Sequence, residues 1–123
     1  MKHPERVKDY LEHIVEAIDR AVSYLQDVQT VVALEKDHKT QAAVIRYIEI
    51  IGEAASHIQR QDPEFIKAHP ELPWSQMRGM RNKVIHHYFD VELSVVWSTV
   101  KEDFPKLKQQ ISRLLLDIKR RDP

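Results

Sequence analysis

Residues 38–59 read HKTQAAVIRYIEIIGEAASHIQ, and this stretch decides the fold class. Ala42, Ala43, Val44, Ile45, Tyr47, Ile48, Ile50, Ile51, Gly52, Ala54, Ala55 and Ile58 cover most of the circumference of a helix advancing about 100° per residue. A helix that is apolar nearly all round is a central one, wrapped by others. Its polar residues Arg46, Glu49, Glu53, Ser56 and His57 collapse onto one narrow stripe. Gly52 costs about 1 kcal/mol of helix propensity relative to Ala, so its presence predicts a close backbone approach.

Outward from this centre the same period recurs. On the N-terminal side, Val7, Leu11, Ile14, Val15, Ile18, Ala21, Val22 and Leu25 stand three and four apart from about Pro4 to Gln26, with Lys8, Asp9, Glu12, Glu16, Asp19 and Arg20 opposite them. Val28 to Leu34 offers one or two more turns. The charged run Glu35 to Lys39 breaks the chain, and Asp37 is placed to cap the central helix. On the C-terminal side, Asp62-Pro63 opens a short helix to Ala68, and Pro73-Trp74-Ser75 opens another that runs through Met80 and Val84 to about His87. Asp90 is a candidate cap for a helix with Leu93, Val96, Trp97 and Val100 inward. Pro105 kinks or restarts the chain before Leu107, Ile111, Leu114, Leu115 and Ile118, and Lys119-Arg120-Arg121 suits a helix C-terminus.

No stretch alternates apolar and polar as a strand would, and two glycines leave little room for tight turns. The expectation is an all-α bundle of four to five principal helices, one domain over residues 1–123. The balance of 19 Lys+Arg against 19 Asp+Glu removes any argument from bulk charge, so a nucleic-acid partner needs a local patch. The absence of cysteine excludes disulfides, thiolate metal sites and thiol nucleophiles. No apolar run approaches the roughly 18 residues of a membrane span, and Met-Lys-His-Pro-Glu-Arg lacks the apolar core of a signal peptide, which points to the cytoplasm.

The patch lies between Glu71 and Asp90. That window has no acidic residue but holds Arg78, Arg81, Lys83, His86 and His87. On a helix, Met77, Met80, Val84 and Tyr88 form its buried stripe, and Arg81 falls about 40° from Met77, inside it. A guanidinium there must meet a carboxylate (Glu49 or Glu53 on the central helix), a partner surface or an anionic ligand. Asn82, four positions before His86, can orient its imidazole. Arg81 and His86 diverge by about 140°, so one regular helix does not bring both tips to one point. A long Arg side chain, a frayed helix end, or a second copy across a dimer interface would close that gap, and the dimer is the reading we favour.

Arginine and histidine without metal or thiol suit RNA transesterification. Histidine deprotonates the 2′-hydroxyl, typically worth about 10²–10⁴ in rate, and arginine stabilises the phosphorane, at about 3–4 kcal/mol for one fixed donor. Metal chemistry fits poorly. Glu35-x-x-His38 has di-iron spacing but no second copy, and His86 and His87 point about 100° apart on a helix.

Arg81-Asn82-Lys83-Val84-Ile85-His86-His87-Tyr88 resembles the Arg-x4-His-x-Tyr motif of the HEPN ribonucleases, in the form carried by HepT-like toxins. Ala43 to Ala55 looks like that family's central helix, and Pro73-Trp74, Tyr88-Phe89 and Val95-Val96-Trp97 are similar in order and spacing. The resemblance implies a homodimeric HEPN bundle with motifs from both subunits lining one cleft. It implies a metal-independent endoribonuclease without a cofactor, with Arg81 and His86 catalytic and Asn82 beside them. Arg46 and Glu53 would organise the cleft or the subunit interface, and Arg78, Lys83 and His87 would contact RNA. It also implies the toxin of a type VII toxin–antitoxin pair, silenced when a MntA-like minimal nucleotidyltransferase antitoxin transfers AMP to Tyr88. The other reading is a non-catalytic helical partner or substrate-binding subunit of a nucleotidyltransferase, since fold alone does not establish activity.

Overall fold

The computed structural model describes residues 4–87 and 90–121, with backbone alone at Pro4, Glu5, His86, His87 and Arg121. Its helices are α1 (Pro4–Leu25), α2 (Val31–Glu35), α3 (His38–Gln61), α4 (Pro63–Ala68), α5 (Trp74–Val84), α6 (Leu93–Ser98) and α7 (Phe104–Arg121). Strands β1 (Ile85–His87) and β2 (Asp90–Val91) form a small antiparallel ladder after α5. The chain is all-α apart from that ladder.

Local chemistry sets most helix ends. Asp37 accepts hydrogen bonds from the Thr40 amide and hydroxyl, at 3.1 and 2.6 Å, and so caps α3. Gln41 then donates to the carbonyls of Leu34 and Glu35, at 2.7 and 3.1 Å, tying the end of α2 to the start of α3. Asp62 accepts from the Phe65 amide at 3.2 Å, with Pro63 in the first turn of α4. The Trp74 indole donates to the His69 carbonyl at 2.8 Å, which fixes the entry to α5.

The core is the stripe pattern made solid. Leu11, Ile14, Ile18 and Leu25 of α1, Val44, Ile48, Ile51 and Ile58 of α3, Met77 and Val84 of α5, and Phe104 and Ile111 of α7 are essentially fully buried. Helix α3 packs against α1 on one side and α5 on another, and α7 closes over α1. The central helix is not wrapped completely. Ala42, Arg46, Glu53 and Arg60 are exposed, while Tyr47, Ile50 and His57 are half-buried, because α1 and α5 leave a ridge of α3 uncovered between them. Gly52 faces α5, where a Cβ would lie 3.2 Å from the Met77 carbonyl oxygen and 3.6 Å from that of Arg78. This is the close approach that the glycine anticipated.

Three expectations are corrected. Helix α5 stops at Val84 rather than near His87, and β1 pairs Ile85 with Val91 and His87 with Asp90. The backbone groups of these residues thus find partners in a ladder that no local alternation announces. Asp90 is consumed by this ladder, and Glu92, not Asp90, stands at the N-cap of α6, without a side-chain capping bond. Pro105 does not restart the chain. A π turn at Thr99–Asp103, closed by the Phe104 amide on the Thr99 carbonyl, widens the helix just ahead of the proline. That shift of register accommodates a residue with no N–H to give. No helix among the described residues is long and apolar enough to cross a membrane.

Candidate active site

The polar stripe of α3 and the basic face of α5 meet in a groove of about 360 Å³. It is lined by Glu49, Gly52, Glu53, Ser56, His57 and Arg60 from α3 and by Arg78, Arg81 and Asn82 from α5. Gly52 lets the two backbones approach, which brings side chains on either side of it within reach of each other. The helices run in opposite directions here, since Arg81 pairs with Glu49 and Arg78 with Gln59.

Arg81 Nε donates to Glu49 Oε2 at 3.0 Å. Its side chain is 51% exposed, against 28% for Glu49. Arg81 therefore lies on the groove wall and not within the buried stripe. Met77, Met80 and Val84 fill that stripe, and the guanidinium reaches out from its edge toward α3. Its carboxylate mate is one of the two that the sequence offered on the central helix. An ion pair this exposed adds only about 0–1 kcal/mol to stability. Its consequence is orientation: Glu49 takes Nε, and among the described residues the terminal nitrogens have no bonded partner. They are donors suited to an anion.

Arg46 and Glu53 pair at 3.3 Å on the exposed ridge of α3, and Glu53 also lines the groove. Arg78 Nη1 donates to Gln59 Oε1 at 3.0 Å. Asn82 lines the groove next to Arg81. Lys83 is not brought to this place. It lines a separate groove of about 650 Å³ between α5, the π turn and α7, with Met80, Thr99 and Lys106.

His86 and His87 lie on β1, directly after α5, and their side chains fall outside the description, as Tyr88 does entirely. The backbone alone changes the geometry of the motif. With the helix ended at Val84, the divergence of about 140° between positions 81 and 86 no longer applies, because it presumes an unbroken helix. The chain turns back at once, and the Glu92 amide bonds the Val84 carbonyl at 2.8 Å. His86 thus sits on the first extended residues after the arginine helix. Among the described residues no group of three or more His, Asp or Glu side chains could hold a metal ion.

Sequence reasoning passed over His57 and Arg60 as site residues. His57 was placed on the polar stripe, and Arg60 lies one turn further, in line with it. The stripe itself was the available signal.

Comparison with known proteins bears on the same region. The family model described as Ribonuclease HepT-like matches residues 14–114, from α1 through α7 and across the whole groove. A protein of Thermococcus cleftensis named "Probable ribonuclease HepT" is 48% identical over 87% of this chain and 94% of its own. One from Methanocaldococcus jannaschii, named "Putative RNase MJ0127", is 34% identical over 94% of this chain and 93% of its own. No solved structure matches. A match that spans the core, the α3–α5 groove and the Arg81 motif together leaves one assignment: the chain belongs to the HepT-like ribonuclease family.

Proposed function

We propose that the protein is a metal-independent endoribonuclease whose reaction centre is Arg81 with His86. The observation that carries this reading is the state of Arg81. Its guanidinium is half-exposed in an open groove and held through Nε by Glu49, one helix end away from the extended segment bearing His86. A cation held by one edge, with its terminal nitrogens unbonded among the described residues, is what a phosphorane requires.

In this reaction His86 removes the proton of the ribose 2′-hydroxyl, and the oxygen attacks the adjacent phosphorus. Arg81 stabilises the charge on the non-bridging oxygens. The 5′-oxygen leaves with the proton that the His86 imidazolium gives back, which yields a 2′,3′-cyclic phosphate and a 5′-hydroxyl. The nucleophile lies within the substrate, so DNA is not cut. Asn82 supports the pair, Arg46–Glu53 braces the ridge, and Arg78, Lys83 and His87 contact RNA. Two copies associate to form the working cleft, in the cytoplasm. The chain is the toxin of its pair, and a nucleotidyltransferase antitoxin silences it by moving AMP from ATP to the Tyr88 hydroxyl. That bulky anion two positions from His86 would repel substrate phosphates.

The test is incubation of total RNA with purified protein in chelator, alongside Arg81→Ala and His86→Ala. Cleavage by the unaltered protein alone, with cyclic phosphate ends, is expected. RNA left equally intact by all three defeats the nuclease reading and leaves a helical partner of a nucleotidyltransferase. Mass spectrometry after coexpression with the neighbouring nucleotidyltransferase tests Tyr88, where the absence of AMP adducts would defeat the modification.

A further inference from the structure

We propose that the end of the groove remote from β1 is a nucleotide subsite, in which the His57 ring stacks a base of the RNA while Arg60 and Arg78 hold its phosphate. The inference rests on the ribonuclease reading and adds to it a substrate position and the residues that define it.

The ring is built to be a platform. Tyr10 of α1 stacks on His57 with centroids 5.1 Å apart and planes 7° from parallel. Gln61 donates to the Tyr10 hydroxyl at 3.1 Å, and His13 meets the Tyr10 ring edge-on at 6.3 Å. One face of the imidazole is thus covered by a braced aromatic, and His57 is among the residues that line the groove. Arg60 Nη2 lies 2.9 Å from His57 Nδ1. A guanidinium can only donate, so Nδ1 is the acceptor in this contact. The imidazole is a flat ring fit to stack on a base.

The charges beside it differ from those at Arg81. Arg46 and Arg81 each meet a carboxylate. Arg60 and Arg78 bond instead to uncharged acceptors, the His57 ring and the Gln59 amide, and neither has a carboxylate partner among the described residues. Arg78 is also half-buried, where an uncompensated cation gains most from an arriving anion. Rising 1.5 Å per residue, α3 separates His57 from Glu49 by roughly 12 Å, so both ends lie within the span of one short oligonucleotide. The strand enters over His57, passes Arg78 and reaches Arg81.

The experiment measures binding of a labelled oligoribonucleotide with 2′-O-methyl sugars, which lacks the nucleophile and is not cut. His57→Ala should weaken it about 5- to 150-fold, the range of one base–aromatic stack. His57→Phe, which keeps a stacking ring, should stay within a few-fold of the unaltered protein. Arg60→Gln should lower the slope of log affinity against log salt by about 0.7, one phosphate contact on a single strand. On a cleavable substrate His57→Ala should raise KM and leave kcat, whereas a distorted groove would lower kcat as well. Unchanged binding by His57→Ala, or equal loss in the Phe variant, overturns the subsite while leaving the nuclease reading standing. AMP bound as tightly as the oligomer, and through His57, would make this a free-nucleotide pocket and also overturns it. Failure of the unaltered protein to bind the oligomer defeats the subsite together with the nuclease reading.

Discussion

Two glycines on facing helices offer a matched experiment on what holds the groove. Gly52 and Gly79 both sit in helices with ordinary backbone angles, so each Gly→Ala change gains about 0.8–1.0 kcal/mol of helix propensity. Their surroundings differ. A Cβ at Gly79 meets nothing within 4 Å, whereas at Gly52 it lies 3.2 Å from the Met77 carbonyl oxygen. The obstacle is backbone of α5 and cannot rotate aside, so α3 and α5 must part by a few tenths of an ångström. Gly79→Ala should therefore stabilise by about 1 kcal/mol, and Gly52→Ala should forfeit most or all of that gain. Gly52→Val adds branched methyls at the same contact and should cost about 1–3 kcal/mol, the usual range for overpacking. The measurement is urea unfolding followed by circular dichroism, paired with RNA cleavage. Widening the helix pair moves Arg81 away from Glu49, so the Val variant should lose activity under conditions where it remains folded; misplacement by about 1 Å can cost 10²-fold. Equal stabilisation by the two Ala variants would show that the close approach does not exist, and the account of the groove would fall with it.

Other consequences are more direct. Arg81→Ala should reduce cleavage by about 10²–10³, measured under single-turnover conditions, with little change in unfolding midpoint because the ion pair is largely exposed. Glu49→Gln keeps the size of the anchor but removes its charge, and should lower kcat more than it raises KM for RNA. Hydrogen bonds from the Thr40 hydroxyl and amide hold the Asp37 carboxyl below the usual carboxylate range. A depressed folded pKa gives stability that is present above the unfolded value of about 3.9 and lost as pH falls through the folded one. Asp37→Ala should thus lower the thermal midpoint at neutral pH and make the protein less sensitive to acid below about pH 4. Hydrogen bonds from Arg20 and Tyr24 pull the Tyr47 phenol below its ordinary range, so ultraviolet titration should find one early tyrosine that Arg20→Gln returns toward normal.

What the sequence disclosed, and what it withheld, divides by the range of the interaction. The caps at Asp37 and Asp62 and the amphipathic faces of α1 and α7 rest on residues three or four apart, and each is legible because its cause lies within one turn. The end of α5 has no such local cause. Ile85 continues the helical spacing of Met77, Met80 and Val84 tolerably well, and only its pairing with Val91 across the reversal takes it out of the helix. The basic window shows the same limit. Counting charges along the chain groups Arg81 with Lys83, although on a helix they point about 160° apart, and the structure puts them in different grooves. A wheel gives the angle of Arg81 but not its neighbours. It offered Glu49 and Glu53 equally, and the crossing at Gly52 decided the matter by setting Glu49 against Arg81 and leaving Glu53 to Arg46. The stacking of Tyr10 on His57 joins positions far apart in sequence, so neither residue declares its partner. The chemistry of this groove is therefore written in residue types that can be read singly. Its geometry depends on one glycine that lets two helices meet, so Gly52 decides which carboxylate Arg81 reaches.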